Sequence, residues 1–162
     1  MTFKKAVESA TPPLNTAYQP GLQALSRKHS GKIQCTRETG ATISGSIDID
    51  AALKSTQPHA SANRWDYGVG YRQTRSGESA IWVEVHGAVS DEVGTLVRKV
   101  TWLKNYLKQS APALWQLTLK SPDTLRFVWL GTKSVHLPKN SPAYKRLNQA
   151  GITLAGTALR LP

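Results

Sequence analysis

A chain of 162 residues with 40% apolar and 19% charged residues has the apolar content that disordered chains lack, and is long enough for one domain with a buried core. Lys and Arg number 21 against 10 Asp and Glu, a formal net charge of +11, so self-repulsion opposes the compact state and a polyanion, above all nucleic acid, is the expected partner. The single cysteine, Cys35, excludes an internal disulfide, and no run approaches the roughly 18 apolar residues of a membrane span, so a cytoplasmic protein with no membrane attachment is expected.

Residues 1–16 read as a flexible N-terminal arm, because Pro12-Pro13 bars helix there. A single α/β domain over 17–162 is expected to follow. Leu22 and Leu25 share a helical face, which predicts a short helix over 21–29 ending near Gly31. A β-rich block comes next, with strands expected at 32–37, 43–50, 65–71 and 80–88 and a hairpin turn over 73–78. The run 80–88, AIWVEVHGA, is the strongest strand signal in the chain.

Ser90 as N-cap, with Asp91 and Glu92 in the first turn, predicts a helix over 91–109. Val93, Leu96, Val97, Val100, Leu103 and Leu107 form its apolar stripe, and Pro112 ends it. Trp102 lies off that stripe, so it is expected to be exposed or to cover another element, such as the C-terminal tail. A last strand is expected over 124–130. The tail from about 134 reads as irregular, with one helical turn at 142–149. The fold class is therefore mixed α/β, with a mixed central sheet flanked by helices in the order α-β-β-β-α-β.

With few acids in the chain, their placement is informative. Asp48, Asp50, Asp66 and Glu84 fall within or at the ends of predicted strands, where carboxylates are depleted and costly if buried unpaired. Glu84 sits between Val83 and Val85, and His86 shares its face through the period of two. If 65–71 pairs with 80–88, Asp66 joins them at one end of the sheet. Two carboxylates and an imidazole there would suit a hard divalent ion, Mg2+ or Mn2+, and metal-assisted attack on a phosphodiester.

These residues resemble the core of the restriction-endonuclease-like, PD-(D/E)XK, nucleases. Asp66 in WDY matches the Asp of the family's second core strand, and Glu84-Val85-His86 matches its carboxylate-x-Lys on the third, with a helix next. The resemblance covers roughly residues 20–130. It implies a metal-dependent nuclease with Asp66 and Glu84 as metal ligands and catalytic carboxylates. Arg64-Trp65 stands in place of the family's Pro, and His86 in place of its Lys. His86 would then serve in catalysis, or a lysine of the following helix, Lys99 or Lys104, would reach the site. The RWDY and WVEVH strings also resemble segments of bacterial proteins.

Other readings of the same residues stay open. Glu84 and His86 also fit a solvated strand face, Asp66 a pair with Arg64 or Arg72, and Asp48 and Asp50 the cap of a short helix at 51–54. Lys104 fits a snorkelling side chain. Arg72, Arg75, Arg98 and Lys108 are the expected contacts to nucleic acid, gathered on one side of the domain. A non-catalytic nucleic-acid-binding module and a protein-interaction domain are the alternatives to the nuclease. No Walker loop, GxGxxG, HExxH or GxSxG motif occurs.

Overall fold

The structure is a computed structural model that describes residues 1–73 and 76–162. Arg75, one of the expected nucleic-acid contacts, lies outside the described residues. In chain order the elements are α1 (Phe3–Glu8), α2 (Arg27–Ser30), β1 (Ile33–Cys35), β2 (Thr42–Asp48), α3 (Ile49–Leu53), β3 (Tyr67–Gln73) and β4 (Gly77–His86). Then follow α4 (Val93–Ser110), α5 (Pro112–Lys120), α6 (Asp123–Arg126), β5 (Phe127–Gly131), α7 (Pro142–Ala150), β6 (Ile152–Leu154) and β7 (Leu159–Leu161). The class is mixed α and β, as the sequence pattern indicates.

Five strands form one sheet in the order β2-β3-β4-β5-β6. The first three make an antiparallel meander, with Tyr67 opposite Val83 and Gly70 opposite Ala80. β5 runs parallel to β4, with Glu84 beside Trp129, and β6 runs parallel to β5. A parallel neighbour needs a crossover, and α4, α5 and α6 supply it between β4 and β5. β1 and β7 pair separately, in parallel.

Alternation along β4 divides the side chains between two apolar layers. Ala80 and Trp82 face the helices, together with Phe127 and Trp129 of β5 and the stripe Leu96, Val100, Leu103 and Leu107 of α4. Ile81, Val83 and Val85 face the other side, where Leu25, Ile33, Leu159 and Leu161 cover them. A strand buried on both faces reads as a continuous apolar run, which is why β4 is so legible.

The N-terminal segment is not a flexible arm. Thr2 caps α1 through its hydroxyl, which accepts from the Lys5 N–H at 3.2 Å, and Phe3, Ala6 and Val7 are buried. The Phe3 ring lies over Gly70 of β3, where a Cβ would stand 2.2 Å from the ring, so only glycine admits it. Helix α4 begins at Val93 rather than Asp91. Ser90–Glu92 is a single 3-10 turn, and Ser90 makes no side-chain cap. Pro112 ends α4 and also opens α5, because a proline at the first helical position loses no hydrogen bond. The tail is more ordered than expected, with α7 followed by two short strands. No helix among the described residues is long and apolar enough to cross a membrane.

Candidate functional site

The end of the sheet where β3 begins and β4 finishes carries the acids. Asp66 sits just before β3, and its backbone N–H donates to Glu84 Oε2 at 3.0 Å. Asp66 Oδ2 in turn accepts the Val85 N–H at 3.0 Å. The two carboxylates thus grip each other's strands across the point where the β3–β4 ladder stops. The Asp66 carbonyl accepts from Ile49 at 3.0 Å and so ties α3 to the same corner.

Lys99 completes the arrangement. It projects from the second turn of α4 onto the sheet, and its Nζ donates to Glu84 Oε1. Glu84 is 1% exposed and Lys99 18% exposed, so the pair lies beneath α4 rather than on a solvated strand face. Burial pushes the Glu84 carboxyl up to about 8, with the Asp66 charge adding and the Lys99 ammonium opposing. Burial also raises Asp66, against its hydrogen bond from Val85 and the nearby Lys99 charge. Asp66 Oδ1 has no hydrogen-bond partner among the described residues.

His86 does not join this group. Its ring, half-exposed, meets Glu92 at 2.7 Å between Nε2 and Oε2. The alternation argument places His86 on the same face as Glu84. His86 is the last residue of β4, however, and there the 3-10 turn before α4 presents a closer acid, Glu92. Among the described residues no three His, Cys, Asp or Glu side chains form a group able to hold a metal ion on their own.

The neighbouring acids are accounted for separately. Asp48 caps α3 by accepting the Ala51 N–H at 2.8 Å, as expected of a cap, although α3 begins at Ile49 rather than Ala51. Arg64 pairs with Asp50 at 2.9 Å and donates to the carbonyls of His59 and Ala60. Arg72 pairs with Glu78 at 2.8 Å. Neither arginine therefore serves Asp66. The chain has no significant match among protein-family models, curated proteins or solved structures.

The expected basic contacts do not converge on this corner. Arg72 lies near the far end of β3, paired with Glu78. Arg98 and Lys108 are both exposed on α4, but ten residues separate them, about 15 Å along the axis. Arg98 and Arg146 both approach Gly94 in the first turn of α4. Trp102 is half-buried and meets the loop before β3. It stacks on Tyr106 at a 5.4 Å centroid distance, and the His59 ring meets it edge-on. Sequence reasoning missed the carboxylate of Glu78. It is buried yet holds its charge, because the Phe3 N–H and Arg72 both donate to it and outweigh the burial that opposes ionisation.

Proposed function

We propose that the chain is a metal-dependent nuclease whose working groups are Asp66, Glu84 and Lys99. The observation that carries this reading is the Lys99 ammonium on Glu84 beside Asp66: two carboxylates and a lysine at the end of a βββ meander followed by a crossover helix. That is the charge set of the PD-(D/E)XK nucleases, with the lysine supplied by the helix instead of the third core strand. His86 is not part of it.

The donor set fits a hard cation. Asp66 and Glu84 offer only oxygens, their mutual repulsion raises proton affinity, and Mg2+ and Mn2+ are commonly held by two carboxylates with the rest supplied by water and substrate phosphate. Held by Asp66 and Glu84, such an ion would polarise the scissile phosphate and lower the proton affinity of an attacking water. The protein's own part is separate. Val85 fixes one oxygen of Asp66, the Asp66 N–H fixes one oxygen of Glu84, and Lys99 presents a proton and a positive charge where negative charge builds on phosphate. The net charge of +11 draws nucleic acid to the protein, and the lone Cys35 suits a reducing, cytoplasmic setting.

The depth of Glu84 favours one alternative: a buried structural ion pair inside a non-catalytic nucleic-acid-binding module. Manganese calorimetry separates the two. A cation must displace the Glu84 proton below pH 8, so Mn2+ affinity is expected to rise about tenfold per pH unit from 6.5 to 7.5 and to level off above 8. Asp66→Asn is expected to remove binding. Absence of Mn2+ binding at millimolar concentration and pH 8.5 would leave the binding module as the account.

A further inference from the structure

The opposite flank of α4 borders a cavity. Lys104 and Lys108 are one turn apart and share a face. Lys104 is five residues from Lys99, a rotation of about 140° around the helix, so these two ammonium groups point away from the carboxylate pair. They line a cleft of about 520 Å3, enclosed also by α5, α6, the start of β5 and the end of α7.

The cleft has two characters. One wall is apolar and made by Trp115, Leu119 and Phe127, with Leu119 exposed at 42%. The other is cationic. Lys104 Nζ lies 5.0 Å from the Phe127 ring centre and donates one proton to the Ala150 carbonyl at 2.8 Å. Lys108 Nζ lies 5.0 Å from the Trp115 ring centre. Arg126 is anchored by the carbonyls of Ser121 and Leu119 and by Asp123, and its charge faces the same space. Asp123 is the one carboxylate among the lining residues, so the cleft carries two net positive charges. Burial lowers the proton affinity of Lys104, and the charge of Lys108 lowers it further, a strain that an anion would relieve.

We propose that this cleft binds a nucleoside phosphate, with the phosphate on Lys104 and Lys108 and the organic part against Trp115, Leu119 and Phe127. Two net positive charges match a phosphate monoester, which carries about −1.5 to −2 at neutral pH, better than a single carboxylate. Lys104 keeps two protons to donate, and among the described residues the Lys108 ammonium has only its ring contact. The volume falls within the range of small-ligand sites, and an apolar wall with a few placed cations is their usual composition. The phosphate has two sources, a free nucleotide or the 5′ end of a strand. This inference does not depend on the nuclease reading.

Calorimetry at low salt with adenosine 5′-monophosphate, adenosine, and a short oligonucleotide with and without a 5′-phosphate tests it. The monophosphate is expected to bind at least tenfold more tightly than adenosine, and Lys104→Gln/Lys108→Gln is expected to weaken it at least tenfold. Lys104 also holds the end of α7, so the single change Lys108→Gln is the control. It is expected to keep the thermal midpoint of the wild type and weaken the monophosphate several-fold. Tighter binding of the 5′-phosphorylated oligonucleotide than of the monophosphate identifies a strand end as the ligand, and the reverse identifies a free nucleotide. Equal binding of adenosine and its monophosphate would overturn the proposal. So would unchanged monophosphate affinity in both lysine variants, or no binding of either phosphorylated probe at millimolar concentration. The same titration on Glu84→Gln separates this cleft from the carboxylate site, since only the latter contains Glu84.

Discussion

Lys99→Met is expected to lower nucleic-acid cleavage by about a hundred- to a thousandfold, whereas His86→Ala leaves it within a few-fold. The two residues compete for one role. His86 occupies the position that a strand-borne lysine would hold, but its ring is engaged by Glu92. Lys99 reaches Glu84 from above the sheet and is the only lysine shown in contact with either carboxylate among the described residues. Removing its ammonium also leaves Glu84 with the Asp66 charge alone, so the Glu84 carboxyl rises further above 8 and stays protonated at neutral pH. A Glu84 that is neutral in both proteins leaves no unpaired buried charge, so Lys99→Met is expected to fold. Circular dichroism and a cleavage time course on the two variants check this. Equal loss in both variants would show that the lysine has no special part.

Phe3→Ala is expected to cost about 3–5 kcal/mol, the range for removing a fully buried phenylalanine. The ring sits over Gly70, Phe3 is fully buried, and its N–H donates to Glu78 Oε2 at 2.5 Å. Glu78 in turn holds Arg72 near the far end of the meander. A loose arm would give a change within about 0.5 kcal/mol, as at ordinary surface positions. Urea unfolding followed by tryptophan fluorescence distinguishes the two, through a lower midpoint with an unchanged slope.

The legible parts of the fold were those with long periodic signals. β4 and α4 each bury one continuous pattern, and both lie within a few residues of the positions read from the sequence. β6 and β7 are three residues each, too short for alternation to register, and their pairing depends on distant strands. α1 is also short, and Pro12-Pro13 suggested disorder that ends just beyond it. Pro112 reads as a helix stop, although the same residue suits a start.

The site was half legible for a similar reason. Asp66 and Glu84 could be brought together from the hairpin register alone, because the pleat fixes which side chains share a face. The contact from Lys99 depends on the rotation of α4 about its axis, which packing of Leu96, Val100 and Leu103 onto the sheet decides. The diversion of His86 depends on a single 3-10 turn that places Glu92 beside it. Neither is written in local spacing.

The most direct measurement is cleavage of supercoiled plasmid and of single-stranded RNA by the wild-type chain and by Glu84→Gln, with Mn2+ and with Mg2+. The account predicts cleavage of at least one substrate by the wild type, complete dependence on the added ion, and loss of about a hundredfold or more in Glu84→Gln with nucleic-acid binding retained at low salt. Binding by both proteins with no cleavage by the wild type under any of these conditions would contradict it.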